Sequence, residues 1–279
     1  MNGLIQNNIT ILGSGTSTGT PIIGCQCKTC LSHHPHDQRL RASIFLKTKL
    51  NHQILVDATP DLRFQLLRQK INNIDFVLIS HEHADHIHGI DDLRQICWQK
   101  SNHELDIYCT QLHQPYLVER FSYIFQREKF FNKDRPILGG GIPTLKLKPI
   151  ELKDKIKEFE IMGESFTFFL LPHNYTKTMC FYHDGFAYLP DCHEITADVL
   201  DFLTRKKPRL LIINCLQKND HQTHLTVQKS FAYIQKIQPQ RAGLIHMNHN
   251  LSHEELTAMA KENFDFPVFP VYDTQNLTY

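Results

Sequence analysis

The sequence predicts an α/β fold in which two mixed sheets are flanked by helices. Three observations carry this. Apolar runs of four to six residues recur along the 279-residue chain with turn signals between them. Most are followed by helical patterns, the alternation typical of α/β proteins. A β-rich middle around Thr144–Leu189 interrupts that alternation and argues for two sheets over one doubly wound sheet.

The elements follow in order. Ile9–Leu12, Ser43–Leu46, Ile54–Val56, Phe76–Ile79 and Leu105–Tyr108 read as strands of the first part. Phe166–Leu171, Met179–Tyr182, Phe186–Leu189, Leu210–Ile213 and Ala242–Ile245 continue the series. Helices are expected at Asp61–Arg68, His86–Ile96, Gln114–Phe125, Ile195–Phe202, Thr226–Ile237 and His253–Glu262, with Pro60 and Thr226 placed to start two of them. Gly13–Gly24, Ser32–Asp37 and Asn132–Pro143 are the most loop-like stretches. No linker, repeat or low-complexity segment divides the chain, so one domain over residues 1–279 is expected.

Composition excludes several classes. A hydrophobic share of 41% and a charged share of 21% are those of an ordinary globular protein, not a collagen-like, disordered or disulfide-scaffold chain. Thirty basic against 29 acidic residues, a net charge of +1, give no electrostatic case for a nucleic-acid-coating protein. The first residues lack a basic n-region with an apolar run, and nowhere do eighteen apolar residues follow one another, so neither a signal peptide nor a membrane span is expected. Cys25, Cys27 and Cys30 cluster while the other five cysteines scatter, unlike a secreted disulfide framework, and the expected location is cytoplasmic. One count is out of line: 18 histidines, the commonest metal-ligating side chain.

Position shows what some of them are for. Ser80-His81-Glu82-His83-Ala84-Asp85-His86 follows the apolar run Phe76–Ile79 directly. A strand that opens a helix through such a loop delivers these side chains to the carboxyl edge of a sheet, where α/β proteins bind ligands. Residues i and i+2 of an extended chain face one side, so His81 and His83 converge, and Asp85 and His86 can serve a second point nearby. Three imidazoles and a carboxylate are costly to bury without a partner, and a divalent cation is one. Distant ligands are still needed. His173, Asp191 and His246 each close an apolar strand, and His193, two residues past Asp191, competes with it.

The pattern His-x-His-x-Asp-His, with a distant His, Asp and His, resembles the metallo-β-lactamase-fold hydrolases from Ile9 to about Glu262. Gly13-Ser14-Gly15-Thr16-Ser17-Thr18-Gly19-Thr20-Pro21, Asp57-Ala58-Thr59-Pro60-Asp61-Leu62-Arg63 and His224-Leu225-Thr226 are similar to the branch that holds the phosphoribosyl cyclic phosphate phosphodiesterases of carbon–phosphorus lyase pathways. The resemblance implies a four-layer αβ/βα sandwich. It assigns His81, His83 and His173 to one metal, Asp85, His86 and His246 to a second, and Asp191 to both. It also implies a homodimer. Imidazole and carboxylate ligands suit zinc or manganese, with iron and nickel as further options.

Cys25, Cys27 and Cys30 form another constellation. Three thiols within six residues of a chain expected in the cytoplasm favour a structural zinc in a loop at about 21–36. A fourth ligand is required. Spacing offers His33, His34 and His36; the resemblance points to His249, three residues past His246.

Two metals can hold a bridging hydroxide and clamp a phosphoryl group, so a hydrolase of small phosphodiesters is expected, with cyclic sugar or nucleotide phosphates as substrates. The developing oxyanion and leaving alkoxide need a further group. His224 lies between a strand and a helix and reaches the same edge, as the resemblance also implies, with His221 as its local rival; Asp85 counts with His224 among the catalytic residues. Asp57 is expected either to orient the ligand loops or to cap a helix, while Asp61 and Arg63 stay open between substrate contact and solvation. Gly13–Gly19 is a tight turn without the Gly-Lys-Ser/Thr of a Walker loop. Competing readings are an RNase Z-like tRNA endonuclease, for which no basic arm is visible, a thioester or lactone hydrolase on the same metals, and a non-catalytic zinc protein.

Overall fold

Alternating side chains along each strand sort the apolar residues onto two faces, and that sorting defines the layers. The computed structural model describes residues 6–129, 144–152 and 156–279; the expected loop at Asn132–Pro143 lies outside them. In chain order the strands are β1 (Asn8–Gly13), β2 (Ser43–Lys47), β3 (Gln53–Val56), β4 (Phe76–Leu78), β5 (Glu104–Thr110), β6 (Thr144–Ile150) and β7 (Lys157–Ile161). They continue with β8 (Glu164–His173), β9 (Thr176–His183), β10 (Phe186–Leu189), β11 (Leu210–Asn214), β12 (Ala242–Ile245), β13 (Val268–Pro270) and β14 (Asn276–Thr278). The helices are α1 (Leu62–Gln69), α2 (Ala84–Ile87), α3 (Arg94–Gln99), α4 (Gln114–Arg120), α5 (Ser122–Phe125), α6 (Ala197–Lys206), α7 (Val227–Ile237) and α8 (His253–Asn263).

The strands form two mixed sheets, ordered β14-β1-β2-β3-β4-β5-β6 and β13-β12-β11-β10-β9-β8-β7. The sheets have matching designs: an antiparallel part, β14 to β3 in one and β7 to β10 in the other, followed by parallel strands. Their facing surfaces share one core in which Ile11, Ile44, Phe76, Phe166, Phe168, Tyr188 and Ile212 pack together. Along β8 the alternate residues Phe169 and Leu171 turn the other way, into a second core with α6, α7 and α8. Val77 beside Phe76 likewise enters a third core with α1, α3 and α4. Helix, sheet, sheet, helix: the expected four layers are observed.

Two expected helices are broken. His86–Ile96 is α2, a 3₁₀ turn at Ile90–Leu93 and α3. The break falls at Gly89, where a Cβ would stand 2.0 Å from the Thr59 carbonyl oxygen, so the chain there packs directly on the Thr59 loop. Gln114–Phe125 divides into α4 and α5 at Phe121, whose ψ of 42° is not helical. The expected helix at Ile195 begins two residues later, at Ala197. Thr226 caps α7 as expected, accepting from the Lys229 amide. Among the described residues no helix is long and apolar enough to cross a membrane.

Candidate functional site

The chain directions bring many strand ends to one edge. β3, β4, β10, β11 and β12 all point their carboxyl ends there, and β8, two antiparallel steps from β10, does the same. Asp57 follows β3, Ser80 to His83 follow β4, His173 closes β8, Asp191 follows β10, and His246 follows β12. Asp85 and His86 sit in the first turn of α2.

Two main groups of ligand-type atoms result, His81, His83 and His173 in one and Asp85, His86, Asp191 and His246 in the other, each with its atoms within 4.8 Å of one another; His173, Asp191 and His224 form a third that overlaps both. In the first, His83 Nδ1 lies 2.9 Å from His81 Nε2 and 3.2 Å from His173 Nε2. Asp191 Oδ2 stands between the groups, 3.3 Å from His86 Nε2 and 3.2 Å from His246 Nε2, and 3.9 and 3.8 Å from the Nε2 atoms of His81 and His173. His193 is not in either group; its Nε2 lies 3.9 Å from Glu194 instead.

The arrangement is buried and incompletely partnered. His81, His86, His173, Asp191 and His246 are each no more than 2% exposed. His86 Nε2, both ring nitrogens of His246 and Asp191 Oδ1 have no hydrogen-bond partner. Orphaned buried polar atoms are expensive, and three imidazoles turn ring nitrogens towards one another at 2.9–3.2 Å, so the donor set fits cations at both points. Burial drives His81 well below its ordinary pKa, which keeps the imidazole neutral and able to ligate. Burial alone would raise Asp191, but the adjacent His246 and His86 overcome it and hold its carboxyl well below the usual range.

The far side of each ring is also held. Asp57 Oδ2 lies 2.8 Å from His86 Nδ1 and accepts from Ser80 Oγ at 2.8 Å, while Oδ1 accepts from the Ser80 amide at 2.7 Å. Ser80 Oγ in turn lies 3.0 Å from His81 Nδ1, and the Thr223 carbonyl accepts from His173 Nδ1 at 2.8 Å. Of its two expected roles Asp57 thus performs the orienting one. Asp57 and His246 both adopt positive φ, 67° and 65°, a strained backbone state that collects at functional sites.

His224 packs over the second group, its ring parallel to His246 at 4.7 Å and edge-on to His173 at 4.8 Å. Burial, the largest influence, pushes it down to about 2. Asn214, at the end of β11, accepts from the Leu225 amide through Oδ1 at 2.9 Å, which turns its Nδ2 towards His224 Nδ1 at 3.3 Å. That donor makes Nδ1 the acceptor and leaves the proton on Nε2. The rival His221 lies farther out, 5.2 Å from the His224 ring, with Nδ1 accepting from the Thr223 amide. Asp61 is drawn away by Arg41, at 2.9 Å, and Arg63 is exposed. Ser80, Asn214 and Glu82 went unnoticed in the sequence, where nothing marks a serine, an asparagine or a glutamate as an orienting group.

A second constellation lies beside the first. Cys25, Cys27 and Cys30 place their sulfurs 3.2, 3.4 and 3.5 Å from His249 Nδ1. The local alternatives do not approach: His36 stacks on Tyr272 at 3.7 Å, and His34 Nδ1 accepts from the His36 amide. The Cys30 amide donates to Cys27 Sγ, the largest influence holding that thiol down to about 6. Four soft and borderline donors around one point fit a tetrahedral zinc.

Residues 52–247 match a family model described as the beta-lactamase superfamily domain. An octanoyltransferase of Porphyromonas gingivalis is 34% identical over 241 residues, which take in 86% of this chain but 46% of that protein. The chain thus spans about half the length of that curated relative. A diphosphatase of the PhnP family has a crystal structure that superposes with a TM-score of 0.84 at 28% identity, over 99% of this chain and 98% of that one. Zinc-bound PqqB from Methylobacterium extorquens superposes at 0.74 with 19% identity, over 97% and 99%, a likeness of fold.

Proposed function

The chain belongs to the beta-lactamase superfamily, and from that premise we propose that it is a dinuclear metallohydrolase of small phosphodiesters, with cyclic sugar or nucleotide phosphates as substrates. The observation that carries the reading is Asp191 Oδ2, shared between two imidazole groups at 3.2–3.9 Å. A carboxylate so placed would serve two cations at once. Similarity to a PhnP-family diphosphatase supports a phosphoryl substrate.

His81, His83 and His173 would hold one divalent ion, Asp85, His86 and His246 the other, with Asp191 joining both. Bound there, the pair supplies a nucleophile from water at neutral pH and a clamp on phosphoryl oxygens. In the net reaction a water oxygen bonds to phosphorus, one P–O ester bond breaks, and a proton ends on the leaving alkoxide. The protein's part is positional. Asp57, Ser80 and the Thr223 carbonyl fix ring tautomers and angles. His224, set by Asn214 to present Nε2–H, donates a hydrogen bond where negative charge grows on the phosphoryl or leaving oxygen. Cys25, Cys27, Cys30 and His249 would hold a structural zinc. The eight unpaired cysteines support a cytoplasmic setting.

One observation favours a second reading, thioester hydrolysis: the curated relative is named for octanoyl transfer. Its match covers under half of that protein, so the name has another half to rest on. Metal analysis of the purified chain, joined to assays of an aryl phosphodiester, a cyclic phosphate, a lactone and a thioester, decides between them. Expected are three metals per chain, fastest turnover of a phosphodiester, and a 10²–10³-fold lower kcat for His224→Ala. Preferred turnover of the thioester or lactone would reject the phosphodiesterase reading, and a His224→Ala rate within twofold would reject its role.

A further inference from the structure

A cavity of about 660 Å³ opens between the start of α4 and the tip of the β8–β9 hairpin, where Gln111, Leu112, Tyr116, Asn174, Tyr175 and Thr176 line it. Its size is that of a small-ligand pocket. Three large apolar side chains are exposed around it: Tyr175 at 71%, Leu112 at 44% and Tyr116 at 44%. The cavity adjoins the candidate metal centre, since the Tyr175 ring stands edge-on to the His83 imidazole with centroids 5.6 Å apart.

The wall is held in place by the metal loop itself. Glu82, buried between His81 and His83 in sequence, accepts from Thr176 Oγ1 through Oε2 at 3.1 Å. The Arg120 guanidinium in α4 donates to the Glu82 carbonyl. His113 Nε2 donates to the Lys177 carbonyl at 2.7 Å, and its Nδ1 accepts from Thr110 Oγ1 at 2.9 Å. Hairpin tip, α4 and histidine loop are therefore one connected unit that holds the wall of the cavity.

We infer that this cavity is the subsite for the nucleobase of a nucleoside cyclic phosphate, with Tyr175 as the face on which the base stacks. The inference rests on the phosphodiesterase reading and names its substrate class. Flat, exposed tyrosines suit a planar ring, because base–aromatic stacking needs a π-face and not an enclosed tunnel. The amides of Gln111 and Asn174 supply donors and acceptors suited to a base edge. An octanoyl chain is the poorer match: it has no planar face to set on the tyrosine rings and loses more rotamer freedom on binding.

The test uses the metal-loaded protein with adenosine 2′,3′-cyclic phosphate and a base-free methyl riboside 2,3-cyclic phosphate. For Tyr175→Ala the ratio of kcat/KM on the first to that on the second falls about tenfold, carried by KM, and Tyr175→Phe holds it within twofold. An unchanged ratio in Tyr175→Ala overturns the subsite, because the ring would then only support His83. Saturation-transfer NMR with adenosine alone separates this from the functional reading. Adenine signals in the native protein that vanish in Tyr175→Ala support the subsite even if no phosphodiester is cleaved. Their absence from the native protein, or transfer to an octanoyl ester in their place, overturns it.

Discussion

Asp57 shows how much of the site is set by single atoms. Its two oxygens serve Ser80 twice and His86 Nδ1 once, at 2.7–2.8 Å, so its charge fixes which His86 nitrogen faces the cavity. Asparagine is nearly the same size and tolerates the positive φ of 67°, so Asp57→Asn tests chemistry and not backbone strain. Its amide would donate to His86 Nδ1, moving the ring proton to Nε2 and blocking a ligand. The expected outcome is a 10–100-fold loss of metal affinity, read by competition with a chelator, with the unfolding midpoint little changed. Affinity within twofold of the native chain would refute the tautomer argument. The ligands themselves were readable because each follows an apolar run. Their orienting partners were not: Ser80 and Asn214 act through neighbours 23 and 11 residues away.

Among the elements, the segment from His86 to Ile96 separates what periodicity can report from what it cannot. Ile87, Ile90, Leu93 and Ile96 recur at helical spacing, and all four enter the core beneath the first sheet, as such spacing predicts. The helix is nonetheless interrupted, because Gly89 donates to the Ala58 carbonyl at 2.8 Å and leaves no room for a Cβ against Thr59. That close approach is a tertiary fact, invisible in a pattern of apolar residues. The edge strands β13 and β14, three residues each, escaped for a related reason: each is too short to show a period, and register comes from partners far along the chain. Gly89→Ala should push the Thr59 loop away and strain the Ala58–His86 hydrogen bond that seats α2. We expect a loss of about 1–3 kcal/mol in urea unfolding together with weaker metal binding. A variant as stable as the native chain would show that the loop yields freely.

Across the whole molecule, the N-terminal loop and the segment after β12 are tied where the Ser14–Thr16 backbone pairs with Met247 and at two further places built from side chains. One is Arg39, 2% exposed, whose guanidinium donates to the carbonyls of Asn248 at 2.9 Å and Leu251 at 2.8 Å while pairing with Asp37. The other is the group of three thiols and His249, which joins positions 219 apart between Cys30 and His249. His249 lies just three residues past His246, so a tie there also steadies a ligand of the candidate dinuclear centre. Both His249 and the three cysteines fall outside residues 52–247, the part that matches the superfamily model. Removing one of several ties should weaken the molecule without unfolding it. His249→Ala is therefore expected to lose one zinc per chain and keep the other two metals, and to lower stability by roughly 2–4 kcal/mol, the scale of a long-loop cross-link. Metal content by mass spectrometry and a urea transition check both halves. His36→Ala is the companion variant: its ring stacks on Tyr272 and approaches no cysteine, so it should keep all three metals. Zinc lost from the His36 variant and retained by the His249 variant would move the fourth ligand back to the local histidines.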